Sequence, residues 1–267
     1  EEAFISTGSS YFDNEKILEY MKRSLEPLYL ASISYEDKLV RYSKNGGALR
    51  VWEDPQPYAG YTIGGDVAQG IEGGDWSVLR VINNKTMKTA AKWKDHVRPD
   101  EMANVAFALG TRYNGAYMGI EVNADGLWVN TELFKMGYPN LYFREAIDDI
   151  TNRVGRQLGF KTDEKTRPYV LSELRKMLAQ HGDVWNDREF LAECLTFVKN
   201  RMGRPEAMSS KNDDEVMATA ICYEIRRNAP VAFEQKQELP TGQQRIAERL
   251  ERLYGKKDVG ISQRDYI

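Results

Sequence analysis

The sequence is poor in the residues that most often build metal and redox sites. In 267 residues there are two cysteines, Cys194 and Cys222, and two histidines, His96 and His181. Both cysteines lie in apolar, helix-like surroundings without metal-ligand spacing. Neither a disulfide framework nor a thiolate metal site is expected, and a reducing cytosol is the natural compartment. Two histidines exclude a multi-histidine metal centre. No apolar run approaches the roughly 20 residues of a membrane span, and no secretory signal, internal repeat or low-complexity segment is present. An excess of one charge is also missing, with 37 Lys+Arg against 40 Asp+Glu and a formal net charge of −3. A nucleic-acid partner usually goes with a basic balance, so at first this argues against one.

What is there is ordinary for a soluble folded chain: 42% hydrophobic and 29% charged residues, with a length that suits one large domain with appendages. The chain opens at Glu1 and reads as the continuation of a longer polypeptide. Residues 1–57 hold a helical stretch from Asn14 to Leu25, then the strand-like runs PLYLASISY and ALRVW. They are expected to be a linker or the remnant of a preceding domain. Residues 58–228 form the main domain. Residues 229–267 carry Pro230, Pro240 and one amphipathic helical candidate from Gln243 to Leu253, and are expected to be a peripheral extension.

Within 58–228 the pattern is α/β. YTIGGD (61–66) predicts a buried strand, and WSVLRVIN (76–83) with KTAAKWKDHV (88–97) predicts an antiparallel pair after it. Pro99 and Asp100 open a helix, as helix starts prefer. AYMGIEVN (116–123) predicts a short strand, GLWVNTELFKMG (126–137) a helix and LYFRE (141–145) a fifth strand. Further helices are expected over 167–182, 187–198 and 213–227. Three strands followed by helix–strand–helix–strand is the order of a ribonuclease H-like fold, a central mixed sheet of five or more strands flanked by helices.

Three acidic positions fall at the ends of buried elements. Asp66 ends the strand YTIG, Glu121 ends the strand YMGI, and Asp213–Asp214 begin the helix carrying Val216, Met217, Ala220 and Ile221. If the first two strands are parallel neighbours, Asp66 and Glu121 stand side by side where active sites of open α/β sheets gather. Converging carboxylates repel and raise one another's pKa. Magnesium or manganese, which favour oxygen ligands, would resolve this, and two such ions about 4 Å apart can hydrolyse a phosphodiester. Taken singly, each position has a plainer reading: an Asp after a strand as a turn residue, an Asp pair before a helix as an N-cap. The combination in this order carries the argument.

The motifs also carry a resemblance. YTIGGDVAQGIEGGDWSVLRV is similar to the first metal-binding segment of the nuclease domain in the large terminase subunit of tailed bacteriophages. IEVNADG resembles that family's second acidic segment, and KNDDEVMATAICY its third. GFKTDEKTRPYVLSELRKML and the lead-in AFISTGSSYFDNEKI match further stretches, so the likeness runs from residue 3 to about 227. It implies a ribonuclease H-like domain, related to RuvC resolvases, that cuts concatemeric double-stranded DNA with two magnesium or manganese ions. Asp66 would bridge both ions, Glu121 would bind one and Asp214 the other, with Asp213 supporting and Asp75 as an outer ligand or only the start of a strand. Sequence does not decide which of Asp213 and Asp214 faces the metal; Asp214 is preferred because Asn212 or Asp213 can then cap the helix. The resemblance further implies a portal protein and a small terminase subunit as partners, an ATPase domain in the same polypeptide, and the host cytoplasm as the setting. No GxxxxGK[ST] loop occurs in this chain.

Resolved by position, the charge is an average over unlike parts. Arg153, Arg156, Lys161, Lys165 and Arg167, then Lys199, Arg201, Arg204 and Lys211, flank the third acidic motif and are expected to contact DNA phosphates without reading bases; solvated helix faces and salt-paired loops are the plainer alternative. GFKTDEKT (159–166) is expected as a hairpin or loop beside the site. Trp76 and Trp128 are expected in the core, and the two histidines in ordinary loop or strand-end roles. Three other functions compete. A RuvC-like resolvase or transposase nuclease would prefer branched to duplex DNA, an actin-like or sugar-kinase ATPase using DVAQGIEGGD would bind ATP tightly, and a DNA or portal docking module would lack a metal site.

Overall fold

The computed structural model describes residues 10–230 apart from 37–38, 44–45, 72, 124 and 148–153. The elements, in chain order, are α1 (Asn14–Arg23), β1 (Tyr29–Glu36), β2 (Leu39–Ser43), β3 (Leu49–Val51), β4 (Tyr61–Asp66), β5 (Ser77–Asn83), β6 (Thr89–Asp95), α2 (Pro99–Arg112), β7 (Tyr117–Ile120), α3 (Gly126–Lys135), β8 (Phe143–Ile147), β9 (Val154–Leu158), α4 (Thr166–Gln180), α5 (Arg188–Cys194), β10 (Phe197–Lys199), β11 (Pro205–Ala207) and α6 (Asp214–Arg226). A seven-stranded sheet runs β2-β1-β3-β6-β5-β4-β7. Its named neighbours are antiparallel except β4 and β7, which are parallel with Gly65 opposite Ile120.

Every residue of β5 is buried, as expected of a strand covered on both faces. One face packs with α1, α4, α5 and α6, whose core includes Ile17, Leu174, Phe190 and Ile221. The other packs with α2 and α3 through Met102, Leu109, Val129 and Leu133. Helix α6 lies directly on β4 at Gly64, where a Cβ would stand 2.4 Å from the Ala218 carbonyl oxygen and 2.5 Å from the Cys222 Cβ. That close approach fixes the height of α6 above the strand that ends in Asp66.

Several expectations need correction. Residues 14–51 do not trail from the sheet as a linker: β1 pairs with β3, and β3 pairs with β6 across the expected boundary at 57. The helix expected over 187–198 stops at Cys194. Beyond it Phe197 is buried and pairs with Ala207, so TFVK takes the strand alternation. The strand LYFRE is split. Leu141 makes a parallel bridge to Met118 of β7, after which the chain leaves the sheet as the two-stranded β8–β9 ribbon. The strand pair of this region is therefore β8 with β9, and GFKTDEKT follows β9 into the start of α4. Trp128 is 44% exposed rather than in the core. The tail from 231 onward and residues 3–9 of the lead-in lie outside the described residues.

Candidate active site

The parallel pairing of β4 and β7 brings their carboxyl ends together. The Glu121 amide donates to the Gly65 carbonyl oxygen at 2.9 Å, which sets Asp66 and Glu121 side by side. Burial first, and then the Glu121 charge, raise the Asp66 pKa well above the usual carboxylate range. The charges of Asp214 and Asp213 push the same way.

Glu121 is held from its far side. Asn123 Nδ2 donates to Glu121 Oε1 at 2.9 Å and to the Thr162 carbonyl and hydroxyl oxygens at 2.8 and 2.6 Å. The GFKTDEKT loop is thus tied to the strand end that carries Glu121. Asp163 shapes that loop by accepting from the amides of Lys165 and Thr166, both at 2.9 Å.

Asp214 opens α6 and is buried. Its Oδ2 accepts from the Trp76 amide at 2.8 Å and from Asn212 Nδ2 at 3.1 Å. Burial raises its pKa, and these two donors oppose that rise. Asp213 is the helix N-cap by backbone geometry but makes no side-chain cap; its carboxylate pairs with Arg167 at the start of α4. Asn212 therefore serves Asp214 rather than capping the helix. Asp75 is exposed, and its charge acts on Asp214, while its carbonyl oxygen meets His96 Nδ1 at 3.1 Å. His96 in turn stacks on Trp76 at 3.6 Å.

The five acids lie in one region but are not drawn around a common point. Among the described residues, no group of three or more acid, histidine or cysteine side chains forms a ready-made ion cage. The physical reason is visible in their partners. Asp214 takes amide donors and Asp213 takes a guanidinium, while burial and its acidic neighbours raise the Asp66 pKa. Asp214 and Asp213 thus each have their own compensation for the repulsion that neighbouring carboxylates create. The donor set, carboxylate oxygens without sulfur or imidazole, suits a hard divalent cation.

Of the residues expected at DNA, Lys161, Lys165, Arg156, Lys199, Arg201, Arg204 and Lys211 are exposed, and Arg167 is engaged with Asp213. Arg153 lies outside the described residues. Arg201 and Arg204 sit in the turn of the β10–β11 hairpin, which leads through Lys211 to the start of α6.

A buried charge network escaped the sequence reading altogether. Arg80 and Lys92, on β5 and β6, bind Asp187 (2.8 Å each) and Glu215 (3.3 and 2.8 Å). Lys94 adds a contact of 2.7 Å to Glu215. The only available signal was two basic residues at alternate positions of strands expected to be buried.

No protein-family model matches the sequence, and no curated protein matches it. Solved structures do match the fold. The large terminase nuclease from thermophilic phage G20c, solved with bound magnesium, has a TM-score of 0.56 at 21% identity, over 82% of this chain and 98% of that one. The same nuclease with bound cobalt gives the same values. The Thermus phage P74-26 large terminase nuclease domain has a TM-score of 0.51 at 19% identity, over 78% and 94% of the two chains. With the strand order β6-β5-β4-β7 at one end of its sheet and helices on both faces, the chain has the ribonuclease H-like fold of these large terminase nuclease domains.

Proposed function

We propose that this chain is the metal-dependent endonuclease domain of a viral DNA-packaging terminase, cutting concatemeric double-stranded DNA. The observation that carries this reading is the Asp66–Glu121 pair at the ends of two parallel strands, with Asp214 arriving from a helix start beside it. The solved magnesium-bound neighbour of the same fold supports it.

Two magnesium or manganese ions, when bound, would activate a water and stabilise the leaving oxygen of the phosphodiester. The protein's part is to present oxygens. Asp66, Glu121 and Asp214 would hold the ions through their carboxylate oxygens, with Asp66 ionised for that role. Asn123 keeps Glu121 turned toward Asp66, while the Trp76 amide and Asn212 orient Asp214 and leave its other oxygen for a cation. Asp213, and through Asp214 the exposed Asp75, add negative charge around the same cleft. Lys161, Lys165 and Arg167 lie on the loop and helix start next to Glu121, where they can hold phosphates without reading bases. A portal protein, a small terminase subunit and an ATPase domain of the same polypeptide are the partners this role requires, in the host cytoplasm during assembly. No helix of the described residues is long and apolar enough to cross a membrane.

The test is cleavage of supercoiled plasmid with manganese or magnesium. Wild type should nick and linearise it, and Asp66→Ala should not, while keeping the wild-type circular dichroism spectrum. Full activity in Asp66→Ala removes the site assignment. One observation favours a second reading, a docking module without cleavage: among the described residues, no three acid, histidine or cysteine side chains are grouped to hold an ion. No manganese uptake together with no plasmid cleavage at any ion concentration would select it.

A further inference from the structure

Lys94 touches both supports of Asp214. It lies on β6, with 18% of its side chain exposed, and its Nζ is 2.7 Å from Glu215 Oε1. The same Nζ stands 5.3 Å from the centroid of the Trp76 ring, within cation–π range. Glu215 follows Asp214 directly, and the Trp76 amide donates to Asp214 Oδ2 at 2.8 Å. Lys94, Trp76, Asp214 and Glu215 therefore close a ring: ammonium to indole, the same residue's backbone amide to carboxylate, one peptide bond, carboxylate back to ammonium.

The other members of the network cannot play this part. Arg80 and Lys92 hold Glu215 through Oε2, deep in the sheet–helix interface, and neither is placed on Trp76. They anchor α6. Lys94 alone among these three cations couples that anchor to the loop between β4 and β5 that carries Trp76. The Trp76 ring is fixed on its own account by stacking on His96 at 3.6 Å, so the ammonium has a rigid surface to register against.

We infer that Lys94 is a positioning residue, which sets the direction of the Asp214 carboxylate toward Asp66 and Glu121 and so sets the affinity of the cleft for a divalent cation. The inference rests on the metal-dependent reading of the Asp66–Glu121–Asp214 site. Outer partners of metal-binding side chains commonly change metal affinity by about 10–100-fold when removed. A lost ammonium here leaves Glu215 with two cations, so the fold has a reason to survive while Asp214 loses its register.

Calorimetric titration of the metal-free protein with manganese chloride tests this without any turnover. Lys94→Met should weaken manganese binding by about tenfold; Lys94→Gln, which keeps a donor for Glu215, should weaken it in the same direction. Lys94→Arg, which keeps the charge and the ring contact, should recover most of it. Thermal unfolding without metal accompanies each variant, and if Lys94→Met does not fold, Lys94→Gln against Lys94→Arg decides. Unchanged manganese affinity in a folded neutral variant overturns the positioning role while leaving the site reading intact. No manganese uptake by wild type overturns the site reading, and the positioning role with it. Equal weakening in Lys94→Arg and Lys94→Gln overturns the claim that the cation matters.

Discussion

Asp66 and Glu121 stand side by side at the ends of two parallel strands, where burial and the Glu121 charge raise the Asp66 pKa well above the usual carboxylate range. The native state therefore holds a proton that the unfolded chain releases above about pH 4. For a carboxyl whose folded pKa is raised, stability is fully present at low pH and is lost as pH rises from the unfolded value toward the folded one. The metal-free protein should become less stable over that range. Asp66→Asn places a neutral amide beside Glu121 and removes the titration, so at pH 7 without metal it should melt above wild type. About 1 kcal/mol would appear as roughly 2–4 °C for a chain of this size. Manganese should raise the melting temperature of wild type and leave Asp66→Asn unmoved. A variant that melts lower than wild type at pH 7, yet still responds to manganese, contradicts both halves.

Arg167 is the second control point, because it is committed to Asp213 while standing among the candidate phosphate contacts. Both side chains are about one-third exposed, so the pair adds at most about 1 kcal/mol to stability. Arg167→Gln should leave the denaturation midpoint nearly in place. If the arginine exchanges Asp213 for a phosphate when duplex arrives, the variant should bind DNA more weakly. Its log affinity against log salt should then lose about 0.9 in slope. Fluorescence anisotropy of a labelled duplex across a salt series reads this, and an unchanged slope would leave Arg167 a purely internal partner of Asp213.

Glu193 gives a second pH signature, next to the start of α6. Burial first, and then the Glu215 charge, push its pKa up to about 8, while its Oε1 accepts the Val216 amide at 2.8 Å near the start of α6. The native state keeps this proton between the ordinary glutamate value near 4.3 and about 8, whereas the unfolded chain does not. Stability from this residue is thus complete below about pH 4 and falls as pH rises to 8, by at most about 1.4 kcal/mol per pH unit. Glu193→Gln can still accept the Val216 amide and should flatten that slope. Urea unfolding midpoints at pH 5, 6, 7 and 8 check it. Parallel curves for variant and wild type would show that Glu193 is ionised in the native state.

How much of this could be read in the residues divides along a physical line. Asp66 and Glu121 were legible because a short apolar run that ends in an acid is a local pattern, and strand order then makes the runs neighbours. The α6 start was legible for the same reason. Arg80 and Lys92 were not, since their partners Asp187 and Glu215 lie 95 to 135 positions along the chain and nothing local marks a paired buried cation. The stop of α5 at Cys194 was hidden because Leu195 continues an apolar spacing that suits a helix, and only the pairing of Phe197 with Ala207 selects the strand. Trp128 misled because an aromatic beside apolar neighbours reads as core, yet α3 buries Val129 and Leu133 and turns Leu127 and Trp128 outward. The separate partners of the site's acids, the Trp76 amide and Asn212 for Asp214 and Arg167 for Asp213, come from distant parts of the chain that no spacing encodes.

Gly64 links the packing of the fold to the geometry of the acids. It lies two residues before Asp66, and the missing side chain lets α6 rest on β4, with the Ala218 carbonyl oxygen 2.4 Å and the Cys222 Cβ 2.5 Å from where a Cβ would be. Gly64 sits in a regular strand, so alanine costs nothing in backbone conformation there and the whole effect is steric. The carbonyl belongs to a helix backbone and cannot rotate away. Gly64→Ala must therefore lift α6, and overpacking of this kind costs about 1–3 kcal/mol. Because α6 begins with Asp214, the same shift should part Asp214 from Asp66 and weaken manganese binding more than the stability loss alone explains. Gly155→Ala is the control: it lies in the exposed strand β9, where a Cβ would meet only the Ala146 carbonyl oxygen at 3.9 Å. Urea denaturation and manganese calorimetry on both variants should separate them, with Gly155→Ala near wild type in each. A Gly64→Ala protein with wild-type midpoint and wild-type manganese affinity would mean that α6 yields without moving its first turn, and that the strand–helix contact does not set the spacing of the acids.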